Sequence, residues 1–151
     1  MKKIIKSLQI YIFLTIAFTI QNCPNTMHQE SIIQVTSSND LQNLLINNQG
    51  PTAIAFYMDH CNYCSKTMPF FEQAAQDPQF CHITFYTVNG PLVNAEKYIL
   101  DVFQKKLQGY PTFYFLNQGK IQNQIIGASS KNNMIQKLQN LSDQPGLKKQ
   151  K

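Results

Sequence analysis

Phe56-Tyr57-Met58-Asp59-His60-Cys61-Asn62-Tyr63-Cys64-Ser65-Lys66 is the stretch on which the reading of this chain turns. Ile54, Phe56 and Met58 alternate with small or polar residues, the period-two pattern of a strand. From Cys61 onward the pattern turns helical, with Tyr63, Phe70, Phe71 and Ala74 as its apolar positions. Two cysteines three apart at a helix start lie on one face, within a single turn. The first meets unpaired backbone N–H groups and the positive end of the helix dipole, and both favour a thiolate. The thiolate is the nucleophile of disulfide exchange, and the second cysteine is close enough to close the bond. C-x-x-C spacing alone suits redox chemistry and metal binding alike. Directly after a buried strand it leans to redox.

The elements on either side alternate. Upstream, residues 31–36 (S-I-I-Q-V-T) read as a strand. Ser38-Asn39-Asp40 offers helix caps before Leu41, Leu44 and Leu45, and Gly50-Pro51 breaks the chain ahead of a strand over 52–58. The cysteine helix is predicted over 61–76, with Pro69 inside it as a kink, and Asp77-Pro78 ends it. Downstream come a strand over 82–88, a helix over 94–107 and a strand over 111–116. The inner face of that helix is Ala95, Tyr98, Ile99, Val102 and Phe103. A turn at Asn117-Gln118-Gly119-Lys120, a strand over 121–126 and a helix over 129–141 complete the order β-α-β-α-β-α-β-β-α.

The net charge of +5 would suit an acidic partner, but its distribution argues against one. Lys2, Lys3, Lys6, Lys148, Lys149 and Lys151 are terminal. From Glu30 to Asp143 seven lysines face eight acids, a net of −1, so no nucleic-acid partner is expected. Gln and Asn supply 32 residues scattered among apolar positions, which reads as composition bias rather than a low-complexity segment.

The N-terminus reads as a targeting segment. Three early lysines precede an apolar stretch over 10–20, shorter than the roughly 20 residues of a membrane span. A signal peptide or N-terminal anchor over 1–22 and a polar linker over 23–30 are expected, then a folded domain over 31–143 and a disordered basic tail over 144–151. The domain is thereby expected outside the cytosol, in periplasm, cell envelope or secretions, where disulfide chemistry is normal.

Four features in order resemble the thioredoxin family: the strand-to-helix Cys61-Asn62-Tyr63-Cys64; Pro69, eight residues after Cys61; Gly109-Tyr110-Pro111-Thr112-Phe113; and Asn117-Gln118-Gly119-Lys120 followed by Ile126-Gly127-Ala128 and a closing helix. The resemblance spans residues 31–143. It implies an α/β thioredoxin-like fold, a central mixed β-sheet flanked by helices. It further implies catalytic Cys61 and Cys64, a cis Pro111 beside them, and substrate binding by Tyr110, Pro111 and Thr112. The implied activity is thiol–disulfide oxidoreduction on protein thiols and disulfides of exported proteins. No cofactor is implied, the protein is expected to be a monomer, and a membrane redox donor would suit it. The alternative is a non-catalytic thioredoxin-fold binding module with a structural disulfide.

The sequence departs from the family pattern at three places. His60 stands where thioredoxins usually have tryptophan. Ala55 stands where thioredoxins carry a buried aspartate, so no carboxylate there can take the proton of Cys64. Asn62-Tyr63 replaces Gly-Pro, so the redox potential is not inherited. His60, Asn62 and Tyr63 are therefore modulating residues, and a charged His60 would stabilise the Cys61 thiolate. Asp59 is expected exposed beside the site. Cys81 is expected to be a small buried residue and, with Cys23 lost to processing or lipidated, the unpaired third thiol. Cys61, Cys64, Cys81 and His82 together could ligate zinc, but a second close pair is missing and no metal site is predicted.

Overall fold

Ala53, Ile54, Ala55 and Phe56 are all fully buried, so the strand that leads to the cysteines needs cover on both faces. Such a strand belongs in the middle of a sheet with helices above and below. The computed structural model, which describes residues 32–143, has that architecture. The elements are β1 (Ile33–Val35), α1 (Ser38–Asn47), β2 (Thr52–Tyr57), α2 (Asn62–Ala75), a 3₁₀ turn (Pro78–Phe80) and β3 (Thr84–Asn89). α3 (Ala95–Phe103), β4 (Thr112–Asn117), β5 (Lys120–Ile126) and α4 (Lys131–Ser142) follow. The sheet order is β1-β3-β2-β4-β5. β1, β3 and β2 run parallel, and β4 and β5 are antiparallel to their neighbours. This is the mixed sheet flanked by helices that the sequence predicts. The expected targeting segment, linker and tail lie outside the described residues.

Successive strand residues point to opposite faces, and the core divides accordingly. Ala53, Ala55, Phe85, Phe113 and Phe115 face Phe71 and Ala74 of α2 and Met134, Leu138 and Leu141 of α4. Ile54, Phe56, Val88, Tyr114 and Leu116 face Leu41 and Leu45 of α1 and Ala95 and Ile99 of α3. Fully burying a side chain of this size contributes about 1.5–3 kcal/mol, so the two layers fix β2 firmly under the site.

Several boundaries differ from the sequence prediction. The cap of α1 is Ser37, whose hydroxyl accepts from Asp40 N at 3.1 Å, rather than one of Ser38-Asn39-Asp40. The core face of α2 is Cys64, Thr67, Phe71 and Ala74. Tyr63, read as apolar interior, is 60% exposed. α3 stops at Phe103 because Gln104 adopts a left-handed φ of 54° and returns its N–H to Leu100 O. Between β4 and β5, Gln118 and Gly119 both have positive φ, the mirror-image turn whose twist matches a hairpin.

Candidate active site

Cys61 is the N-cap of α2, and its Sγ accepts from the backbone N–H of Cys64 at 3.1 Å. Ser65 N donates to Cys61 O at 3.1 Å and starts the helical ladder. The sulfur therefore sits where the helix presents unpaired N–H groups and its positive dipole end, which stabilise a negative charge. Cys61 and Cys64 are joined by a disulfide, with Cα atoms 5.1 Å apart. Cys61 is half-buried, whereas Cys64 is only 5% exposed. An incoming thiol or disulfide reaches Cys61 first.

The Tyr110–Pro111 peptide bond is cis. Its loop approaches the cysteines, with Tyr110 O 3.7 Å from Cys61 Sγ. Pro111 O accepts from Gly127 N at 2.7 Å, which ties the loop to the end of β5. Thr112 is fully buried, and its hydroxyl donates to Gly109 O at 2.7 Å, so its side chain supports the turn. The Tyr110 ring lies against Gly90, in space that any β-carbon at Gly90 would take. Burial, and secondarily the Glu96 carboxylate, raise the Tyr110 phenol above its usual value.

An open groove of about 470 Å³ adjoins the pair, lined by Tyr57, Asp59, His60, Cys61, Cys64 and Met68 among others. His60 is exposed and holds a left-handed backbone, φ 57°. Two contacts secure this loop to the end of β3. Gly90 N donates to Tyr57 O at 2.8 Å, and the Asn89 amide donates to Asp59 Oδ2 at 3.1 Å. Neither Asn89 nor Gly90 stands out in the sequence by residue type alone. Their signal is the turn-forming Asn-Gly-Pro directly after a strand. Asn62 and Tyr63 are both exposed on the rim.

Below the disulfide the interior is apolar. Ala55 pairs with Thr87 and Phe113 and belongs to the cluster containing Phe71 and Phe113, whose rings are 5.5 Å apart. Among the described residues the buried polar side chains are Thr52, Thr67, Asn89, Thr112 and Asn117, with no carboxylate.

Cys81 corrects the expectation of a small buried thiol. It is exposed at the end of the 3₁₀ turn and is itself disulfide-bonded. Phe80 fills the core position at that turn instead. Desolvation lowers the neighbouring His82 imidazole below its usual value.

A sequence model of the thioredoxin family matches residues 31–140. No curated protein matches the chain. Among solved structures, the thioredoxin of Malassezia sympodialis is 18% identical, with a TM-score of 0.62 over 80% of this chain and 99% of that one. The thioredoxin of Trypanosoma brucei brucei is 21% identical, with a TM-score of 0.60 over 77% and 96%. The oxidised mitochondrial thioredoxin 3 of Saccharomyces cerevisiae is 20% identical, with a TM-score of 0.58 over 73% and 95%.

Proposed function

We infer the role of this chain from the premise that it belongs to the thioredoxin family: it is a thiol–disulfide oxidoreductase working through Cys61 and Cys64. The observation that carries this reading is the position of the pair. Cys61 caps α2 at the surface, and Cys64 lies covered within bonding reach. A purely structural disulfide would be inert and buried at both sulfurs, which disfavours a binding module.

In the reducing direction the Cys61 thiolate attacks one sulfur of a substrate disulfide. A Cys61–substrate bond forms, and the other substrate sulfur leaves as thiolate. Cys64 then attacks Cys61 Sγ, closes the intramolecular disulfide and releases the second substrate sulfur. Run backwards, the same steps oxidise a substrate dithiol. The cis-Pro111 loop, with the Tyr110 carbonyl beside Cys61, is the surface against which a substrate strand would lie.

The substrates we propose are proteins exported with this one, on the strength of the lysine-rich start and short apolar stretch of the sequence. A membrane-bound donor or acceptor would then reset the pair. Insulin reduction with dithiothreitol tests the chemistry: Cys61→Ala should abolish turnover, and full activity in that variant would end the enzyme reading. Cys64→Ala should trap substrates as mixed disulfides and so identify them. N-terminal sequencing of protein from cells tests export. Cleavage near residues 20–26 supports it, and an intact Met1 in the cytosol overturns it.

A further inference from the structure

We propose that His60 is the base that takes the Cys64 proton in the resolving step, in place of the missing buried carboxylate. The inference rests on the oxidoreductase reading and deepens it.

Resolution requires a Cys64 thiolate, and a free thiol has a pKa of about 8.5. Among the described residues no buried side chain is a carboxylate, an imidazole or an amine, so the interior offers no base for that proton. The groove is the remaining exit. It is lined by Cys64 and Cys61 together with three other titratable side chains, Tyr57, Asp59 and His60. Outside the groove, the cis-proline loop meets Cys61 with the Tyr110 carbonyl, which is not a base at neutral pH. Asp59 has one oxygen engaged by Asn89, and carboxylates as a class titrate near pH 4, far from a thiol. Phenols titrate too high to be unprotonated. Imidazole is the side chain whose ordinary titration lies between pH 5 and 8, so it is both unprotonated and basic enough at neutrality.

The backbone supports this assignment. The Asn89–Asp59 and Gly90–Tyr57 contacts hold the loop, and the left-handed φ of His60 is maintained within it. Left-handed conformations at non-glycine residues cost about 1–2 kcal/mol and persist where the surroundings impose them. Directly or through one water, imidazole takes the Cys64 proton. The Cys64 electron pair forms the Cys64–Cys61 bond, the Cys61–substrate bond breaks, and its pair leaves on the substrate sulfur. That sulfur takes the proton back from the imidazolium; the protein ends oxidised as the Cys61–Cys64 disulfide, the substrate disulfide ends reduced by the same two electrons, and no further oxidant or reductant is needed.

The test uses the reduced full chain and a chromogenic aromatic disulfide, followed by stopped flow. Attack by Cys61 releases one coloured thiolate, and resolution by Cys64 releases the second. His60→Gly suits the left-handed backbone and leaves an opening in the groove. It should slow the second release on the order of 10²-fold near neutral pH, the lower end of what a positioned base contributes. Free imidazole should restore that release in proportion to its concentration, and His60→Gln should be as slow as glycine. The wild-type rate of the second release should carry an inflection in the imidazole range that both variants lack. An unchanged second release, a slow one that imidazole does not restore, or a normal rate in His60→Gln would each overturn the proposal. If the first release persists in those cases, the oxidoreductase reading survives. If wild type releases nothing, both fall.

Discussion

Asn89 donates its side-chain amide to Asp59 Oδ2 at 3.1 Å, fastening the end of β3 to the loop that delivers Cys61. Asn89 is 7% exposed and Asp59 is exposed, so the bond lies at a boundary rather than in the interior. A hydrogen bond in such a place contributes on the order of 1 kcal/mol. Asn89→Ala should lower stability by about that amount in urea denaturation and reduce insulin turnover several-fold. Unchanged turnover would show that the loop holds itself.

His60→Gly should not destabilise the protein. Relief of a left-handed backbone returns about 1–2 kcal/mol, and the extra freedom of glycine in the unfolded chain takes back up to about 1 kcal/mol. Urea midpoints should therefore be equal or higher in the variant, and a clear loss would mean that the side chain holds the loop by contacts of its own.

Gly90→Ala should push the Tyr110 ring from its place, because its tip occupies the β-carbon position. Overpacking of this kind costs about 1–3 kcal/mol. The change should be largely suppressed in Tyr110→Ala, where the ring is gone. Equal losses in both backgrounds would argue against the contact as the cause.

Alkaline stability should fall from about pH 10. Burial raises the phenols of Tyr110 and Tyr114 above their ordinary value of 10.0. The folded state thus keeps protons that the unfolded chain releases. The stabilisation is complete below the unfolded value and is lost as pH rises through the folded one. Tyr114→Phe should flatten part of this decline. For His82 the sign is reversed. Its imidazole is lowered from 6.5, so stability is lost as pH falls below that value, and His82→Gln should weaken the acid limb.

The redox potential should be less negative than the roughly −270 mV of thioredoxin. A positive charge on residue 60, next to the capping Cys61, would favour the thiolate and so stabilise the reduced pair, as in strongly oxidising low-pKa thiols. Equilibration against glutathione buffers measures it. His60→Gln should move the potential in the negative direction.

The order of elements and the two sulfurs were legible because they rest on short-range patterns: a period-two strand, a helical switch at Cys61, and a Gln118-Gly119 turn requiring left-handed backbone. The inner face of α2 was not. Thr67 is fully buried and accepts from Ser129 N across 62 positions, while the more apolar Tyr63 faces solvent. No local pattern encodes such a long-range partner. The same holds for Asn89 and Gly90, which matter because β3 lies beside β2 in the sheet. Cys81 misled because cysteine is commonly buried, whereas here the adjacent Phe80 takes that place.

The unequal exposure of the two sulfurs sets how long a captured client stays attached. Entry is through Cys61, while release waits on Cys64, which is almost wholly covered. A client with a further cysteine within reach can use that interval to displace Cys61 itself. It then leaves with its own bonds rearranged and with the protein still reduced. The division between the two exits is a race, and its result belongs as much to the spacing of cysteines in the client as to this chain. Peptides of graded cysteine spacing, scored for rearranged against reduced product, would time it.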